Sequence, residues 1–183
     1  MKTLKILFLA GLFLFSTNLS AQKYMTKNGH IKFYSETPME TIEAHNKQVN
    51  CAFDSETGDF VFKVLMKSFE FEKALMQEHF NENYAESDKY PNAMFKGKVT
   101  NIVDIDFSVD GEYPAVIEGD LTIHGTTNKV KHNGTFTVKG GTIHGMAVFN
   151  VKPEDYKIKI PNAVTKKIAD SLEVTVDVKL SAR

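Results

Sequence analysis

Most of the chain alternates apolar and polar residues with a period of two, which is typical of strands that bury one face. The clearest stretch covers residues 172–180, where leucine and valine alternate with charged and polar residues. Turn-forming residues separate such stretches, as at Asp110-Gly111 and Gly140-Gly141. The other alternating stretches are residues 60–66, 93–99, 103–109, 117–123, 130–138 and 143–151. Many short strands at this spacing predict an all-β sandwich or a closed antiparallel barrel.

Two segments depart from the alternation and predict helices. Residues 71–83 carry Phe71, Leu75, Met76 and Phe80 at helical spacing, which predicts one helix between strands. This helix could pack onto the barrel with its apolar stripe, or it could form a lid on which Met76 and Phe80 touch a ligand. Residues 161–171 predict a shorter helix of about two turns before the last strand.

The N-terminal residues predict export. Lys2 and Lys5 precede an apolar run over residues 6–15, and small and polar residues then lead to Ala21. This layout is typical of a cleaved secretory signal, and the apolar run is short for a membrane-spanning helix. We expect a signal peptide over residues 1–21 and one domain over residues 22–183. The mature chain would then be periplasmic or secreted, with no stable membrane span.

Composition excludes several classes of function. The net charge is −1 and no run of like charges occurs, so we expect no nucleic-acid partner. The single cysteine, Cys51, cannot form an internal disulfide and is predicted to be a buried apolar residue. The six histidines show no zinc-site spacing, and the chain has no nucleophile elbow or phosphate-binding glycine loop. The sequence therefore predicts no catalytic residues, no metal site and no cofactor.

The inward face of the predicted strands combines aromatic residues with small ones. Four glycines share this face: Gly97, Gly119, Gly134 and Gly145. They either leave an unfilled interior for one slender ligand or allow tight bends where the sheet coils. An apolar channel would select an apolar ligand. The residues predicted to line it are Phe60, Phe62, Val64, Met66, Met76, Phe80, Phe95, Phe107, Leu121, Ile123, Phe136, Phe149 and Val176.

Few polar groups fall on the inward face. His132 does, and it could hydrogen-bond a ligand head group or simply sit near a strand end. His124 and His144 have outward parity and could approach each other on neighbouring strands. Arg183 is the only arginine, whereas bidentate recognition of phosphate favours arginine. A quinone, a free isoprenoid or a fatty amphiphile is therefore favoured over a tightly held diphosphate.

Four stretches of the sequence resemble the YceI-like family of secreted, lipocalin-like barrels associated with polyisoprenoid binding. Residues 119–127 (GDLTIHGTT) are the most specific, because they are close to the family's Gly-x-Leu-Thr-x-x-Gly-x-Thr signature. Residues 53–58, residues 67–69 with 90–97, and the tail over 147–180 carry the rest. The resemblance implies an eight-stranded antiparallel lipocalin-like barrel with a helix near one mouth and a long apolar channel. It also implies a bacterial protein that holds an isoprenoid or a similar amphiphile.

Two classes of function remain after these exclusions. The first is a non-catalytic carrier or sequestering protein for an apolar lipid. The second is a structural or stress-related interaction protein whose barrel is filled by its own side chains. A continuous apolar cavity that reaches a mouth would favour the first. An enzyme of lipid metabolism would need a polar cluster inside the channel, and parity places almost no polar residues there.

Overall fold

The computed structural model describes residues 23–183. The predicted signal peptide over residues 1–21 and the first residue after it, Gln22, lie outside the described residues. The strands form one antiparallel sheet, and the pairing of β1 with both β2 and β9 closes it into a barrel. The strands are β1 (Lys23–Glu36), β2 (Thr41–Asp54), β3 (Asp59–Leu65), β4 (Glu70–Phe71), β5 (Asn92–Val99), β6 (Gly111–Ile123), β7 (Thr126–Lys139), β8 (Thr142–Val151) and β9 (Leu172–Ala182).

The barrel wall has eight strands, which confirms the predicted architecture. Strand β4 is two residues long and pairs only with β2, so it lies outside the closed ring. Six of the eight wall strands, β3 and β5 to β9, coincide with alternating stretches of the sequence. Within the described residues, no helix has both the length and the apolar composition needed to cross a membrane.

The alternating pattern does not reveal β1 and β2, because both strands contain irregularities. The pairing of β1 with β2 shifts register between Thr26 and Gly29 and again between Gly29 and Ile31. On β2 the buried positions change from Asn46 to Val49, an odd spacing. Each irregularity moves the following side chains to the other face, so neither strand reads as one alternating run.

The predicted strand over residues 103–109 is wrong. A 3-10 helix covers Ile102–Asp104, and the chain then turns across one end of the barrel. Asp106 makes this turn, since its Oδ1 accepts hydrogen bonds from the Ser108 amide (2.9 Å) and the Ser108 hydroxyl (2.6 Å). Val103 is therefore 91% exposed, although it has the parity of the inward residues.

The helical segments are shorter than predicted. Helix α1 covers Ala74–His79 and continues as a π-helical turn over Phe80–Tyr84. It begins later than predicted because the backbone of the preceding residue, Lys73, is extended. Phe71 therefore lies on β4 and not on the helix. In the segment 161–171 only a 3-10 helix over Asn162–Val164 forms. The amide of Ala169 donates to the Ser35 hydroxyl (2.9 Å) and does not continue a helix.

The two ends of the barrel differ in packing. At the end where β2 finishes and β3 begins, the rings of Phe53, Phe60, Phe107 and Phe136 pack together with centroids 4.8–5.9 Å apart. We call this the closed end. Cys51 is buried in the same cluster, where burial raises the pKa of its thiol. The opposite end, which we call the mouth, lies beneath helix α1 and the segment between β8 and β9.

Candidate functional site

A cavity of about 480 Å³ occupies the mouth half of the barrel. The strands contribute its wall through Ile31, Phe33, Val64, Leu121, Ile123, Phe149, Val151 and Val174. These side chains are aliphatic or aromatic, and the volume falls within the range of about 300–1,000 Å³ usual for small-molecule sites. The cavity therefore suits an apolar ligand.

An aromatic cluster forms one side of the mouth. The rings of Phe33, Phe69, Phe71 and Phe80 pack with centroids 5.1–5.7 Å apart. Phe80 is the first residue of the π-helical turn, so the cluster attaches the helical segment to β1 and β4. Met76 also lines the cavity from α1, whereas Leu75 lines it at the rim and is 60% exposed.

One carboxylate pairs with the lysines at the rim. Glu40 lies 3.5 Å from Lys73 Nζ and 4.0 Å from Lys167 Nζ, and all three residues line the mouth cavity. These ion pairs connect the β1–β2 turn with the start of α1 and with the segment before β9. Both lysines thus already face a negative charge.

A second, smaller cavity of about 110 Å³ lies deeper in the barrel. It adjoins the first, because the same residues line both: Ile31, Val64, Ala93, Leu121 and Phe149. His132 is the histidine in its lining, and its ring stacks on Phe149 with centroids 4.1 Å apart. His132 lies in the middle of β7, not near a strand end. The two cavities together form one apolar path from the mouth towards the closed end.

Most of the predicted lining residues lie along this path. The mouth cavity is lined by Met66, Met76, Phe80 and Ile123, the deep cavity by Phe60, Phe62, Phe95, Phe136 and Val176, and both by Val64, Leu121 and Phe149. Phe107 lines neither cavity, because it comes from the turn that crosses the closed end, where it packs on Phe53 and Phe136. Contact of these residues with a ligand stays a prediction.

The segment between β8 and β9 also contributes to the cavity, which was not predicted from the sequence. Ile158, Ile160, Val164 and Ile168 from this segment line the mouth cavity. The signal was present, since Ile158 and Ile160 alternate with lysines and Val164 and Ile168 have helical spacing. It was too short to predict a cavity wall without knowing that the segment crosses the mouth.

Gly97 and Gly119 permit close approach and line neither cavity, whereas Gly145 lies in the lining of the deep cavity. A Cβ on Gly97 would lie 2.5 Å from the Phe95 ring and 2.8 Å from Gly119 Cα, and Gly119 is its partner on β6. A Cβ on Gly145 would lie 3.2 Å from the Phe136 ring. Neighbouring phenylalanine rings therefore occupy the space that these glycines leave, as expected where a sheet bends tightly.

The outward histidines bond to carboxylates and not to each other. His144 lies 2.7 Å from Asp177. His124 pairs with Glu86, and its Nδ1 lies 3.3 Å from the carbonyl oxygen of Tyr156. Glu86, His124 and Lys157 all have positive φ, at 43°, 50° and 58°. Three residues with strained backbones thus lie close together. The His124 side chain connects the segment after α1 to the 3-10 helix Pro153–Tyr156.

No group of three or more His, Cys, Asp or Glu side chains within residues 23–183 could hold a metal ion. The buried polar side chains of the core, Ser35, Asn46 and Ser87, make hydrogen bonds to the protein. The described part of the chain therefore presents an apolar cavity with few polar groups as its candidate site.

These features define a lipocalin-like barrel with an apolar cavity open at one mouth. The chain belongs to the YceI-like domain family, whose model matches residues 20–180. No curated protein matches its sequence.

Solved structures with the same fold have low sequence identity to this chain. A polyisoprenoid binding domain from Saccharophagus degradans implicated in plant cell wall breakdown has 11% identity and a TM-score of 0.77, over 89% of this chain and 99% of that one. BcnA from Burkholderia cenocepacia has 16% identity and a TM-score of 0.68, over 84% and 96%. The YCEI protein of Campylobacter jejuni has 15% identity and a TM-score of 0.54, over 73% and 81%.

Proposed function

We propose that this protein is an exported, non-catalytic carrier or sequestering protein that holds an isoprenoid or a similar amphiphilic lipid in its barrel. The observation that carries the proposal is the mouth cavity of about 480 Å³ with its apolar lining. Transfer of apolar surface from water into such a cavity contributes about 25 cal/mol per Å². The Saccharophagus degradans domain, which shares the fold, is described as polyisoprenoid binding.

The charges at the rim support a ligand without a tightly held diphosphate. Lys73 and Lys167 lie beside the Glu40 carboxylate, which offsets their charge. An arginine would offer a bidentate fork to phosphate, but the only arginine of the sequence is Arg183. A free isoprenoid, a quinone or a fatty amphiphile therefore fits the site better.

A self-filled barrel is the competing proposal, and the closed end favours it. Phe53 and Phe136 are 2% exposed there, and Leu180 is fully buried. The packing does not fill the rest of the barrel, because the deep cavity begins at Phe60 and Phe136 and adjoins the mouth cavity. The filled end thus sets the depth to which a ligand could enter.

Lipid analysis of protein expressed with its own N-terminus tests the proposal. We expect native mass spectrometry of the periplasmic or secreted fraction to give a one-to-one complex with an isoprenoid or fatty amphiphile. The mass of the polypeptide should correspond to cleavage after Ala21. A stoichiometric prenyl diphosphate would contradict the proposed ligand class. Protein that remains free of lipid after exposure to a total membrane extract would favour the self-filled barrel.

A further inference from the structure

The barrel wall opens between β7 and β8 in its mouth half. The two strands pair from Gly134–Ala147 to Lys139–Thr142. Beyond Gly134, towards the mouth, β7 pairs with β6 and β8 pairs with β9. Backbone hydrogen bonds therefore close the seam between β7 and β8 near the closed end, whereas side chains close it near the mouth.

His132 and Phe149 bridge the seam where it opens. Their rings are stacked, with centroids 4.1 Å apart and an interplanar angle of 17°. Both residues line the deep cavity, and Phe149 also lines the mouth cavity. The imidazole thus forms part of the wall at the junction of the two cavities.

The Nε2 atom of His132 is buried without a hydrogen-bond partner in the protein. Buried polar groups in native structures nearly always have a partner, so an exception requires an explanation. Among the described residues, one other buried side-chain atom lacks a partner, Asn92 Oδ1, and Asn92 lines neither cavity. The unpaired nitrogen inside the cavity system therefore belongs to His132.

Water is a poor partner for this nitrogen. A buried water molecule usually makes about three hydrogen bonds. Besides His132, Thr135 is the one residue in the lining of the deep cavity with a hydrogen-bonding side chain, and the others, such as Ile117, Leu121 and Val176, offer none. An oxygen atom carried into the cavity on an apolar ligand needs only one partner, so it suits the site better than water does.

The electrostatics of the site favour an uncharged oxygen. Burial lowers the pKa of His132, so the ring is neutral at neutral pH and can donate or accept one hydrogen bond at Nε2. An ionised carboxylate or phosphate in this apolar chamber would lose its hydration without gaining a counter-ion. Hydroxyl and carbonyl groups avoid that loss.

We infer that the bound lipid carries a neutral oxygen, a hydroxyl or carbonyl group, at its inner end, and that this oxygen hydrogen-bonds to His132 Nε2. The inference rests on the proposed function and specifies its ligand. His132 is then a specificity residue that selects oxygen-bearing amphiphiles over plain hydrocarbons. It also sets the direction of binding, with the polar end innermost.

The test uses farnesol and the matched C15 triene that lacks the hydroxyl group. Delipidated protein binds each probe in competition with the fluorescent probe N-phenyl-1-naphthylamine. We expect wild-type protein to prefer farnesol about tenfold, the factor given by a hydrogen bond of ordinary net strength. In His132→Phe, which keeps an aromatic ring opposite Phe149, the preference should disappear while the triene binds at least as tightly.

Two further variants make the test specific. His132→Gln keeps a polar group near the same place and should retain part of the preference. His144→Phe changes an outward-facing histidine on β8 that lines neither cavity, and it should retain the full preference. Equal preference for farnesol in wild type and His132→Phe would overturn the inference while leaving the proposed function intact. Failure of wild-type protein to bind either probe would overturn both.

Discussion

At the scale of single residues, Gly119 shows how closely β5 and β6 approach. A Cβ at this position would lie 2.5 Å from both Gly97 Cα and the Lys96 carbonyl oxygen. These are backbone atoms, so they cannot rotate away as the end of a flexible side chain can. The strand pair would have to move apart to accept even one methyl group.

We therefore predict that Gly119→Ala lowers the free energy of unfolding by about 1–3 kcal/mol, the range for overpacking. Gly111→Ala on the same strand is the matched control. Its added Cβ would meet only the Tyr113 side chain, at 3.4 Å, so its effect should stay within about 0.5 kcal/mol. Urea denaturation of the two variants measures the difference. Equal losses of unfolding free energy in the two variants would show that the close approach of β5 and β6 does not exclude a side chain at Gly119.

At the scale of elements, the sequence predicts strands well where one face is regularly buried. Strand β9 is the clearest example, since its alternation begins where the strand does, at Leu172. Residues 103–109 have the same pattern and form no strand, because Asp106 closes a turn. Of the four alternating apolar residues in this segment only Ile105 and Phe107 are covered by the barrel end, whereas Val103 and Val109 are exposed. Period-two alternation therefore does not by itself distinguish a wall strand from a segment that crosses the end.

The cavity was predictable in composition but not in shape. Val64, Leu121 and Phe149 followed from inward parity, and they line both cavities. Parity could not distinguish them from Phe60 or Phe136, which lie on the same face but line only the deep cavity and also pack into the closed end. That distinction depends on how far along the barrel axis each residue lies, which requires the register between strands.

A substitution in the helical segment should affect lipid binding, whereas a substitution at the closed end should affect stability. Phe80 contacts the mouth cluster at ring-centroid distances of 5.1–5.6 Å, whereas Phe53 is 2% exposed and lines neither cavity. We expect Phe80→Leu to speed dissociation of a bound fluorescent fatty acid several-fold with little loss of stability. Phe53→Leu should cost about 1–2 kcal/mol and leave the dissociation rate unchanged.

Stopped-flow dilution gives the dissociation rates, and thermal unfolding gives the stabilities of the same two proteins. If Phe80→Leu lowers the melting temperature as much as Phe53→Leu but retains the lipid, the helical segment only packs on the barrel. The lid hypothesis would then be wrong.

At the scale of the whole molecule, two histidines couple stability to pH. Burial lowers the pKa of both His30 and His132, and the neighbouring His45 further lowers that of His30. Asp177 opposes the shift at His30, while Lys47 and Lys32 add to it. In the unfolded chain both rings take up a proton near pH 6.5, their usual pKa. The folded protein takes up these protons only at lower pH.

The sign of the effect follows from this difference. Between pH 6.5 and the lowered pKa values the unfolded state binds more protons, so stability falls as the pH falls. Each group contributes a slope of at most about 1.4 kcal/mol per pH unit. We expect the double variant His30→Gln, His132→Gln to lose stability less steeply than wild type between pH 7 and pH 5.

Urea denaturation at several pH values measures the two slopes, and comparing the proteins isolates these histidines from the other titrating groups. His79→Gln controls for the replacement of a histidine as such, because His79 is exposed. Ligand-free protein is required, since a lipid bound at His132 would itself stabilise the folded state. Parallel pH profiles for wild type and the double variant would show that neither ring loses proton affinity on folding. That result would contradict the claim that burial keeps the His132 imidazole neutral at the junction of the two cavities.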